Sequence, residues 1–119
     1  MRFMPSKPAH TALRDISHHI ELAVAFAAGF DLDAFKNDLK TIYAVTRCLE
    51  IISEASRRLP DEMKARHAGI AWKQMAGAGN VYRHDYEDVA AHEVWDTLTL
   101  HLPPLRAVVE AELVALGAE

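Results

Sequence analysis

LKTIYAVTRCLEIISEASRRL, running from Leu39 to Leu59, sets the fold class. Leu39, Ile42, Val45, Leu49, Ile52 and Leu59 return at helical intervals and build one broad apolar face. A face of that width predicts a central helix that touches several neighbours. Asp33 is expected to open it, its carboxylate accepting bonds from the free backbone N–H groups of the first turn. The opposite face carries Arg47, Glu50, Glu54 and Arg58, again three and four apart. The plain reading of these four is a solvated, salt-bridged stripe. The sharper one has Glu54 or Arg58 facing a functional groove.

The same period extends outward in both directions. Upstream, Leu13, Ile16, Ile20, Val24 and Ala27 define the buried side of a helix that Pro8 can start and Gly29 can end. His10, Arg14, His18 and Glu21 lie across from them. Downstream, Pro60 opens a short amphipathic turn that Gly69 closes, and Ile70, Trp72 and Met75 begin another helical stretch. Gly77 and Gly79 weaken that stretch, each by roughly 1 kcal/mol against alanine. Glycines so placed signal a bend or a close backbone approach. From Val94, the residues Leu98, Leu102, Leu105, Val109, Leu113 and Leu116 keep helical phase through Pro103-Pro104. That pattern favours two abutting helices with proline in the first turn of the second. No period-two alternation and no hairpin signal interrupts it. The expectation is all-α: an antiparallel helical bundle of four to five main helices, forming one domain over residues 1–119.

Composition bounds the function. A chain of 119 residues, half of it hydrophobic and a quarter charged, can bury one core. A net charge of -4 argues against coating nucleic acid by bulk electrostatics but leaves room for a local basic site. Cys48 is the only cysteine, which excludes an intrachain disulfide and a cysteine zinc cage; its apolar setting suggests a buried thiol. No apolar run is long enough to span a membrane, and the N-terminus lacks a signal core, so a cytoplasmic location is expected. Seven histidines raise the question of a metal site. However, His18 and His19 are adjacent, and helical metal pairs sit three or four apart. No metal and no cofactor is expected.

The chemically dense stretch is Gly79-Asn80-Val81-Tyr82-Arg83-His84-Asp85-Tyr86. On an α-helix Asn80, Arg83 and His84 share a face. They offer an amide donor, a permanent cation and a side chain that exchanges protons near neutral pH. Those groups suit an anionic phosphodiester whose transition state gains charge. Taken alone, a histidine beside an arginine on a helix is more often surface decoration.

The wider pattern is more specific. Trp72-Lys73-Gln74-Met75-Ala76-Gly77, followed by Asn80, His84, Asp85, Tyr86 and Val89, resembles the signature of the HepT-like branch of the HEPN family. Ile51-Ile52-Ser53-Glu54-Ala55 resembles that family's Ile-Gly-Glu-Ala stretch. Val94-Trp95-Asp96 and Leu102-Pro103-Pro104-Leu105 resemble its Val-Trp and Leu-Pro-x-Leu ending. The resemblance implies a metal-independent endoribonuclease, the toxin of a bacterial toxin–antitoxin pair, that works as a homodimer with two motifs across a shared cleft. It also implies a partner, a minimal nucleotidyltransferase (MntA-like) antitoxin, which adds AMP to a tyrosine; by position that is Tyr86.

One departure stands out. The family motif is Arg-Asn-x-x-x-His, and its arginine position is Gly79 here. Asn80 and His84 match. The reading adopted is that Arg83 supplies the phosphate-binding charge and His84 the proton transfer, with the RNA 2′-hydroxyl attacking the neighbouring phosphate. The alternative is a HEPN dimer that has lost nuclease activity and serves as partner or substrate of the nucleotidyltransferase. Supporting roles fall to Glu54 as a hydrogen-bond partner, to Asp85 in offsetting charge or orienting the His84 ring, and to Tyr82 in packing or base stacking. Trp72 and Trp95 are expected in the core or an interface, and Tyr43 packed on its helix.

Overall fold

The computed structural model describes residues 7–83 and 87–117, all α-helix, tighter or wider helical turns, and short connections. Four helices are long: α1 (Lys7–Phe26), α3 (Leu39–Arg57), α6 (Glu87–Asp96) and α7 (Leu102–Ala115). Three are short: α2 (Leu32–Lys36), α4 (Asp61–Ala65) and α5 (Trp72–Gly77). The all-α bundle with four to five main helices is thus what the chain forms.

α3 is the central element, packing on α1, α2, α5, α6 and the turn after α5. Ile42, Val45, Leu49 and Ile52 are fully buried on it, joined by Leu13, Ile16 and Ile20 of α1 and by Leu102, Leu105 and Val109 of α7. Burying each such side chain stabilises the fold by roughly 1.5–3 kcal/mol before chain entropy is counted. Cys48 is buried here too, and desolvation pushes its thiol pKa up, as an unreactive core cysteine requires.

The expected Asp33 cap is corrected. The stretch before Leu39 is a separate helix, α2, capped by Asp31, whose carboxylate accepts from Ala34 N at 2.8 Å. α3 is capped by Asp38, which accepts from Thr41 N at 3.1 Å. Asp33 lies inside the first turn of α2. Two competing caps seven residues apart, with Asn37 Nδ2 donating back to the Asp33 carbonyl, break what periodicity reads as one helix. α2 then packs on α6 through Phe35 against Trp95 and the Lys36–Asp88 ion pair.

Gly29 has positive φ just past α1, as its place requires. Val24, assigned to the buried face of α1, is exposed, and so is Tyr43 on α3. Trp72 is half-buried against the core and donates its indole N–H to the Lys64 and His67 carbonyls. Between α6 and α7 the backbone widens into a π-helical turn, Thr97–His101, with no gap, and prolines fill the first turn of α7. The two abutting helices are therefore joined end to end. No helix among the described residues is long and apolar enough to cross a membrane.

Candidate active-site groove

α5 ends at Gly77 and the chain tightens into a 3-10 helix, Ala78–Arg83. The cause is one side chain. In a continuing α-helix the Gly79 N–H would donate to the Met75 carbonyl. Here the Ser53 hydroxyl sits between them: it donates to Met75 O at 2.9 Å and accepts from Gly79 N at 2.9 Å. A hydroxyl inserted into the helical ladder redirects the backbone at that point. Ser53 is itself buried.

Gly79 completes the junction by proximity. A Cβ built on it would lie 2.7 Å from the Cα of Glu50 and 3.2 Å from the Glu50 nitrogen. The obstacle is α3 backbone, which cannot swing aside as a side chain can. The glycine signal read from sequence as a bend or close approach is thus both, and position 79 has no room for any side chain. An arginine there would need the turn to lift off α3.

The turn and α3 enclose a groove of about 410 Å³ lined by Arg47, Glu50, Ser53, Glu54, Arg57, Gly79 and Asn80. Asn80 is exposed on its rim. Glu54, expected as a supporting residue, does line this groove, and its carboxylate pairs with Arg58 Nε at 3.4 Å. Arg47 Nη1 donates to Glu50 at 3.0 Å. Arg58 turns outward to Asp15 at 3.1 Å and is not part of the groove. Sequence reasoning passed over Arg57, although it lies three residues after Glu54 and lines the groove. Its Nη2 donates to the Ala76 carbonyl at 2.6 Å, which stitches α3 to α5 beside the turn.

The shared α-helical face of Asn80, Arg83 and His84 needs correction as far as the backbone is described. Through Arg83 the turn is 3-10, with about three residues per turn, so positions 80 and 83 come into register. His84, Asp85 and Tyr86 lie outside the described residues, and Tyr82 and Arg83 are described in backbone only. Among the described residues no three His, Cys, Asp or Glu side chains gather as a metal site would require. His18 and His19 stack edge to face at 5.0 Å, with His19 Nδ1 on the Asp15 carbonyl.

A helical bundle that seats a polar turn in a charged groove of its central helix defines a broad class of protein. Comparison with known proteins narrows it: the chain belongs to the Ribonuclease HepT-like family, whose model matches residues 16–112. A Thermococcus cleftensis protein named "Probable ribonuclease HepT" is 37% identical over 98 residues, covering 82% of this chain and 89% of the relative. A Methanocaldococcus jannaschii protein, provisionally named an RNase, is 30% identical over 107 residues, covering 90% of this chain and 92% of its own. A Caldanaerobacter subterraneus protein with a similar provisional name is 31% identical over 98 residues, covering 82% of this chain and 88% of its own. No solved structure matches the chain significantly.

Proposed function

We propose that this chain is an endoribonuclease whose site is the segment from Asn80 to Tyr86 together with the groove on α3. The observation that carries the reading is Asn80, the motif amide, opening onto that groove in a chain of the Ribonuclease HepT-like family. The RNA 2′-hydroxyl gives up its proton, its oxygen bonds to phosphorus, the bond to the 5′-oxygen breaks, and the leaving oxygen takes a proton. A cyclic phosphate end remains. His84 handles proton transfer, worth typically ~10²–10⁴ in rate, and no metal is required. Arg83 and Asn80 stabilise the charge that builds on the phosphate.

Tyr86, two residues on, is the proposed switch. A minimal nucleotidyltransferase acting as antitoxin joins AMP to its phenol oxygen. That puts a bulky phosphodiester anion where the RNA phosphate binds, so inhibition is steric and electrostatic. The active species is a homodimer in the cytoplasm, with Asp85 offsetting local positive charge and Tyr82 packing beside the motif.

The test is turnover of single-stranded RNA by variants. His84→Ala abolishes cleavage, and Arg83→Ala lowers kcat by about 10²–10³, the range for losing one charge-stabilising donor. Unchanged cleavage by Arg83→Ala would remove the phosphate charge from that residue. Mass spectrometry of protein co-expressed with the nucleotidyltransferase reads the regulatory half: AMP adds to wild type and not to Tyr86→Phe. The closed position 79 favours one alternative, a HEPN dimer without nuclease activity that serves the nucleotidyltransferase as partner or substrate. In that case no RNA is cut, with or without EDTA.

A further inference from the structure

The groove on α3 carries two arginines and two glutamates, so its formal charge is zero, yet the charges do not cancel evenly. Glu50 is matched by Arg47 at 3.0 Å. Glu54 is matched by Arg58, which lies outside the groove, at 3.4 Å. Arg57 makes no ion pair among the described residues; its hydrogen bond goes to the neutral Ala76 carbonyl. That bond uses one of five guanidinium N–H groups and leaves the charge intact. It also fixes the fork beside the Gly79–Asn80 turn, so little side-chain freedom remains to be lost when an anion arrives.

Position 79, where the family motif carries its cation, is closed to any side chain by the Glu50 backbone. Besides Arg83 on the turn itself, α3 offers this groove a cation already held in place. We infer that Arg57 is a backbone-binding residue for RNA: its guanidinium takes a phosphodiester of the strand that passes over Asn80. This rests on the endoribonuclease reading for the identity of the strand. It differs from the Arg83 assignment in kind, since Arg57 acts on binding and Arg83 on the developing charge.

The test uses full-length protein and a short, fluorescein-labelled 2′-O-methyl oligoribonucleotide, which binds but lacks the attacking hydroxyl. Arg57→Gln keeps an amide donor; it is expected to weaken binding about tenfold, as loss of one charge-assisted bond does. It is also expected to flatten the slope of log affinity against log salt by about 0.7, one phosphate contact on a single strand. Arg57→Lys keeps the charge and restores the slope. On cleavable RNA, Arg57→Gln raises KM and leaves kcat nearly unchanged. Weaker binding with an unchanged salt slope would mean Arg57 only braces α5 against α3, and would overturn the inference. So would equal binding by wild type and Arg57→Gln, or no binding by either. If wild type binds with the predicted salt dependence on Arg57 but cuts no RNA, the backbone contact stands and the nuclease reading falls instead.

Discussion

Residue 79 is glycine, and at that position distance admits nothing larger. A methyl group there meets α3 backbone at 2.7 Å. Gly79→Ala is therefore expected to destabilise the fold by about 1–3 kcal/mol, the usual range for forced overpacking, read as a lower denaturant midpoint. Gly79→Arg is expected to lower stability further and to reduce cleavage. A stable Gly79→Arg protein with raised activity would show that the close approach is not binding on the chain. Ser53→Ala leaves the half-buried Gly79 N–H without its hydroxyl partner and is expected to cost about 1 kcal/mol. The sequence showed the glycine and the polar cluster. It could not show Ser53 inside the helical ladder, because that contact joins residues 26 apart in the chain.

Among the elements, the central helix was readable because its apolar face has one period from Ile42 to Ile52. Its start was not. Periodicity runs on across Asn37-Asp38, and only the contest between aspartates decides where a helix begins. Asp38→Ala is expected to cost about 1 kcal/mol, as loss of a helix cap does, against a few tenths for Asp33→Ala. Equal effects on the urea midpoint would return the cap to Asp33. The junction at Pro103-Pro104 was legible from the prolines, while the π turn preceding it carries no residue signature. Arg57 was within reach of the same reading, three residues after Glu54, but the stripe was traced through Arg58 four residues on, and spacing alone does not separate the two arginines.

Across the whole molecule, one buried carboxylate ties α7 to the loop after α4. Glu112 of α7 accepts from Arg66 Nη2 at 2.8 Å and pairs with His67 Nε2 at 2.5 Å. Burial alone would raise its pKa, but the hydrogen bonds from His67 and Arg66 outweigh that and hold it below the ordinary value of 4.5. Because the folded pKa is depressed, the stabilisation is complete above the unfolded carboxylate pKa and is lost as pH falls through the folded one. Glu112→Gln is expected to lower stability at neutral pH by about 1–3 kcal/mol and to flatten the acid limb of the stability curve. An acid limb identical to wild type would place the sensitivity elsewhere. Spacing gave no hint of this clamp, since it joins a loop after α4 to a helix 45 residues later.

The central proposal is metal-independent cleavage of RNA at this groove. The direct measurement is incubation of the purified protein with single-stranded RNA in EDTA, followed by analysis of product ends. The expected result is cleavage with cyclic phosphate ends, unaffected by the chelator and lost in His84→Ala. RNA left intact by wild type, or cleavage that EDTA abolishes, would contradict it.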